Sequence, residues 1–139
     1  MKITLNRLND DYLFECSNSA GNSILLDNTS QHNAKGVSPM ESVLMAVAGC
    51  SGIDMVSILK KQRQNITKFS AEVEGVRVPV DEAKPFKSIL VKFFVDGEVD
   101  AAKAQKAAQL SFEKYCSVSK TLEPKVEVSY EVFVNNVKL

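Results

Sequence analysis

Two cysteines of this chain stand where a thiol can do chemistry. Cys50 closes the run Ser38-Pro39-Met40-Glu41-Ser42-Val43-Leu44-Met45-Ala46-Val47-Ala48-Gly49-Cys50, and Cys116 sits in Lys114-Tyr115-Cys116-Ser117-Val118-Ser119-Lys120-Thr121-Leu122. A thiolate attacks peroxide to give a sulfenic acid, and a second thiol within reach condenses with it to a disulfide. Their wide separation in sequence excludes a local CxxC clip. If the fold joins them they form a peroxide-reacting pair; if it does not, they are two small buried hydrophobes. Cys16, in a strand-like segment without a supporting motif, reads as structural or surface-lying and is not a site candidate.

The elements that carry the two thiols differ in what they offer. Ser38 is an N-cap, Pro39 suits the first helical position, and Glu41 three residues after Ser38 completes a capping box. Cys50 follows that cap by roughly 18 Å of helix, beyond the first turn in which the dipole acts. Its activator must therefore come from elsewhere in the fold. Cys116 begins the segment Ser117–Leu122; if that segment is a helical turn, its free N–H groups favour ionisation of Cys116. By position alone Cys116 is the easier thiol to ionise.

The first helix runs from Pro39 through Cys50 to Lys60–Gln64, with Lys60, Lys61 and Arg63 suiting its negative end. It is apolar on nearly every face from Val43 to Leu59, so sheet, helix or a second subunit must cover it. Before it come three strands, Lys2–Leu8, Tyr12–Cys16 and Ser23–Leu26, then a polar loop from Asp27 to Val37. After it, alternation predicts strands over Lys68–Val78 and Phe86–Val95, an Ala-rich helix over Asp100–Tyr115, and a last strand over Lys125–Val134. The order β-β-β-α-β-β-α-β implies an α+β fold with antiparallel sheets and a central buried helix, in a single domain over residues 1–139.

Composition narrows the function classes. Lys and Arg number 17, as do Asp and Glu, and neither sign forms a run, which argues against a nucleic-acid or anionic-membrane partner. The apolar stretch Met40–Leu59 is broken by Glu41, Asp54, Gly49 and Gly52, and reads as a buried helix rather than a membrane span. An odd cysteine count and an N-terminus without a signal-like apolar core suggest a reducing cytoplasm. One His and no CxxC or HxxxH leave no metal site expected. Hydrolysis through His32 lacks a GxSxG elbow.

The residues Gly36 to Cys50, then Ile53-Asp54-Met55-Val56-Ser57-Ile58-Leu59-Lys60-Lys61-Gln62-Arg63, resemble the OsmC/Ohr family. So do Ala107 to Ser119, Val73-Glu74-Gly75-Val76-Arg77, Pro85-Phe86 and Ile89, so that the resemblance spans nearly the whole chain. It implies an intertwined homodimer with its site at the interface, and a thiol-dependent reduction of organic or inorganic hydroperoxides. By the same resemblance Cys50 is the peroxidatic thiolate and Cys116 the resolving thiol. No bound cofactor is implied, and an external dithiol of lipoyl type restores the pair. Family peroxidases place a Glu directly after the Pro of this helix; here that position is Met40 and the carboxylate is Glu41. They also use an Arg from the region before the helix, where Asp27–Val37 has none. Arg7, Lys35 and Glu41 are the candidate supporting residues, with capping a sufficient role for Glu41. The alternative is a non-enzymatic dimer of the same fold that senses redox state or binds a small ligand.

Overall fold

Apolar–polar alternation becomes two sheets in the computed structural model, which describes residues 1–30 and 32–139. The chain divides into two compact units, Met1–Val43 and Leu44–Leu139. In the first, β1 (Ile3–Arg7), β2 (Phe14–Asn18) and β3 (Ser23–Leu26) form an antiparallel sheet in that order. Asn9 shapes the first turn by accepting backbone N–H bonds from Asp11 and Leu13 at 3.0 and 3.2 Å. The chain returns beside β3 at Val37, where the approach to Leu25 is so close that a Cβ on Gly36 would meet its carbonyl at 2.7 Å.

Helix α1 (Pro39–Lys61) starts as its residues predict. The Ser38 N–H donates to Glu41 Oε2 at 2.7 Å and the Glu41 N–H to Ser38 Oγ at 3.1 Å, a complete capping box. These bonds from Ser38 hold the Glu41 carboxyl below its ordinary pKa. At the other end Arg63 takes a left-handed conformation, φ 57°. Its N–H bonds to Lys60 O, and that of Gln64 to Leu59 O, so the last carbonyls are satisfied by a Schellman motif.

In the second unit β4 (Asn65–Arg77) and β5 (Phe86–Glu98) form a long antiparallel ladder, β6 (Glu127–Val134) lies parallel to β5, and β7 (Val137–Lys138) closes the edge. The β5–β6 pairing departs from the expected all-antiparallel arrangement, because the intervening helices carry the chain back across the sheet. Those helices are α2 (Ala101–Leu110), capped by Asp100 onto the Lys103 N–H, a π-helical turn over Ser111–Tyr115, and α3 (Ser117–Leu122). The Ala-rich segment Asp100–Tyr115 read as one helix is thus two pieces, and Ser117–Leu122 is the short helical turn allowed for after it.

Period-2 alternation in β5 buries Ile89, Val91, Phe93 and Val95 on one face, joined by Val132 and Val134 of β6. Ala104, Ala107 and Ala108 of α2 are fully buried, small enough for close approach to β6. Phe112 stacks on Tyr130 at 4.9 Å and meets Phe93 at 6.1 Å. Helix α1 meets β4 through Gly52 beside Phe69 and Leu44 beside Gly75. It buries one row, Val47, Ser51, Met55 and Leu59, while Met45 is 54% and Ile53 73% exposed. Within one chain, β4 and the π-helical turn cover part of α1 and leave other apolar faces exposed, the faces for which the sequence allows a second subunit. By length and composition alone, α1 is long and apolar enough to cross a membrane, a test that the core helix of a folded domain also passes.

Candidate functional site

Cys50 and Cys116 come together. Helix α1 places Asp54 one turn beyond Cys50, on the same face. The Cys50 sulfur, an Asp54 carboxylate oxygen and the Cys116 sulfur all lie within 4.8 Å of one another. All three cysteines of the chain are free thiols. Cys50 and Asp54 are partly exposed and Cys116 is fully buried.

The π-helical turn brings Cys116 to this point. Its widened register lets the Cys116 N–H bond to Ser111 O at 2.7 Å, and the chain then turns into α3 with Cys116 as N-cap. Ser111, at the start of the turn and fully buried, donates its hydroxyl to Asp54 Oδ2 at 2.9 Å. Ser119, also fully buried, donates Oγ–H and N–H to Cys116 Sγ at 3.1 and 3.5 Å. Each member of the trio except Cys50 is thus oriented by a buried serine.

The N–H contact expected for Cys116 is present, yet it does not lower the pKa of that thiol. Burial pushes the Cys116 thiol above its ordinary pKa, outweighing the Ser119 bonds, and the neighbouring Cys50 raises it further. Of the pair, Cys116 is the buried thiol and Cys50 the partly exposed one. Asp54 is a proton acceptor beside both. Sequence reasoning passed over it as a break in an apolar run, although the i, i+4 spacing from Cys50 signals a shared face. Ser111 and Ser119 carried no such signal.

The supporting candidates are engaged locally in the first unit. Arg7 donates to the backbone carbonyls of Asp10 and Asp11. Glu41 serves the helix cap. Lys35 presents its N–H to Asp27 Oδ2 at 2.8 Å beside a small polar pocket lined by Asn9 and Asn28, and His32 is exposed. Among the described residues of the second unit, no basic side chain hydrogen-bonds to Cys50, Asp54 or Cys116. Asp54 and Tyr115 instead line a cleft of about 360 Å³ that also touches Lys61 and Gln62.

Residues 32–131 match the family described as OsmC-like protein. This chain belongs to the OsmC-like family. Among curated relatives, protein YhfA of Escherichia coli K12 is 42% identical over 117 residues, covering 82% of this chain and 85% of its own. A hypothetical protein from Aquifex aeolicus superposes with a TM-score of 0.80 at 30% identity, covering 96% of each chain. The organic hydroperoxide resistance protein OhrB of Bacillus subtilis shares the fold, with a TM-score of 0.65 at 21% identity over 94% of this chain and 96% of its own. The OsmC-like fold therefore holds for nearly the whole chain, and on it this member brings two thiols and a carboxylate together.

Proposed function

We propose that this OsmC-like protein is a cysteine-based hydroperoxide reductase that works as a homodimer in a reducing cytoplasm. The observation that carries the reading is the meeting of Cys50 and Cys116 sulfurs within 4.8 Å. In the reaction, the Cys50 thiolate attacks the distal oxygen of a hydroperoxide and the alcohol leaves with a proton. Cys116 then attacks the Cys50 sulfenic acid, water departs, and a disulfide remains. Closing that bond from the present separation takes an approach of under ~3 Å to reach ~2.05 Å. A dithiol then reduces the disulfide by exchange and no bound cofactor takes part. Asp54 accepts the proton that Cys50 must lose, a role open to a carboxylate at this distance.

Anaerobic mixing of the reduced protein with cumene hydroperoxide should consume two thiols per peroxide and leave a Cys50–Cys116 disulfide on peptide mapping. Persistence of both free thiols would overturn the reading. The second reading, a non-enzymatic sensor or ligand-binding dimer, draws on the absence of a bonded cation in the second unit. Under it Cys50 would alkylate no faster than an ordinary thiol of pKa ~8.5.

The dimer rests on what one chain leaves uncovered. Ala48, Gly49, Gly52, Ile53, Val56 and Phe69 line an apolar groove of about 600 Å³. A Cβ on Gly49 would meet nothing within 4 Å, so nothing in one chain demands a glycine there, although a mid-helix glycine costs about 1 kcal/mol. A second helix approaching closely supplies the reason. Ile53→Glu should convert the dimer to monomer in sedimentation analysis; an unchanged dimer would refute this face as the interface.

A further inference from the structure

We propose that the reduced Cys50–Asp54–Cys116 trio is a zinc site, with two sulfur donors, one carboxylate donor and a fourth position open to solvent. This deepens the reading above, since the metal would cap the same thiols that meet peroxide.

Tetrahedral zinc with bonds of ~2.3 Å to sulfur and ~2.0 to 2.2 Å to oxygen sets donors about 3.5 to 3.8 Å apart. Donors already within 4.8 Å of one another reach that spacing with ~1 Å of contraction. Two of the three come from one helix face at i and i+4, and the third from the N-cap of α3, so the set is held by two elements. The surroundings match a ligand set as well. Ser111 fixes one carboxylate oxygen at 2.9 Å and leaves the other free, and Ser119 donates twice to the Cys116 sulfur. Outer-shell donors of this kind orient metal ligands and steady their charge.

Two thiols and a carboxylate crowded together repel one another once ionised, and no basic side chain among the described residues of the second unit bonds to them. A divalent cation removes that repulsion. Thiolates with a carboxylate suit zinc in preference to magnesium or calcium, which take oxygen sets. Two of the donor residues, Cys50 and Asp54, are partly exposed, and Asp54 lines an open cleft, which leaves the fourth position to water. Binding releases the protons carried by the two sulfurs, and no oxidation occurs. A zinc-filled pair has both sulfurs committed, so it resists alkylation and peroxide until the metal leaves.

The test uses the full untagged chain, reduced and chelator-stripped, titrated anaerobically with cobalt(II) as an optical probe and then with zinc. Sulfur-to-cobalt charge-transfer absorption should saturate at one equivalent and vanish as zinc displaces cobalt. Asp54→Asn and Ser111→Ala should weaken binding by about tenfold or more, and Cys16→Ser should leave it unchanged. Circular dichroism of each variant reports whether the fold is kept. Absent charge-transfer absorption, or absorption that survives joint Cys50→Ser and Cys116→Ser replacement, would overturn the site. The stripped protein is assayed in parallel for peroxide-driven disulfide formation. Disulfide without metal binding rejects this inference alone; metal binding without disulfide rejects the peroxidase reading and leaves the zinc site standing.

Discussion

Cys50→Ser is expected to abolish hydroperoxide reduction, lowering the rate by roughly a thousandfold or more, while Cys116→Ser leaves the first oxidation intact. Removing a nucleophile eliminates the covalent route, and little catalysis survives its loss. Removing Cys116 leaves Cys50 to attack once; its sulfenic acid then persists and is trapped by dimedone, and turnover with a dithiol slows. Equal loss of the first oxidation in both variants would refute the division of labour. A pH signature accompanies it. Burial keeps the Cys116 thiol above the ordinary thiol range, and Cys50 adds to that shift. In Cys50→Ser, Cys116 should therefore alkylate at lower pH than in the parent protein. The sign for stability also follows: a thiol with a raised folded pKa favours the fold below its unfolded pKa, and that contribution fades as pH rises through the folded value. Alkylation rates against pH, with denaturant midpoints in parallel, check both statements.

Phe93→Ala should cost about 3 to 5 kcal/mol of stability, the range for deleting a fully buried aromatic ring. Phe93 is 0% exposed and touches Phe69 of β4 at 5.9 Å and Phe112 of the π-helical turn at 6.1 Å. Its loss opens a cavity beneath the turn that sets Ser111 and Cys116. Against a typical net stability of 5 to 15 kcal/mol, this is a large fraction of the whole. Urea denaturation should show a lowered midpoint with little change in slope, and Cys116 should alkylate faster in native buffer. A change below ~1 kcal/mol would mean that the aromatic cluster does not brace the turn.

The site shows how far short-range reading reaches. The capping box at Ser38 and Glu41 was legible because its partners are three residues apart, and the same holds for the strands, whose period of two is local. The β5–β6 pairing was not legible, since strand direction in a sheet depends on how the intervening helices cross it. Asp54 lay between the two cases. Its spacing from Cys50 is local, but a charge inside an apolar run invites attention to the interruption and not to the neighbour one turn away. The break of the Ala-rich helix into a π turn left no trace in residues 100–115, all of which suit an α-helix.

By itself the sequence determined that Cys50 rides a well-capped helix, that Cys116 opens a short one, and that the family pattern links them. Only the tertiary structure decided that the two sulfurs and the Asp54 carboxylate share one small volume. It also decided that the Cys116 thiol, despite its N-terminal position on α3, lies above its ordinary pKa. The reason is that a local N–H bond is visible in spacing, whereas burial is a property of everything packed around the residue. Desolvation by distant segments outweighs the helix turn that sequence could see.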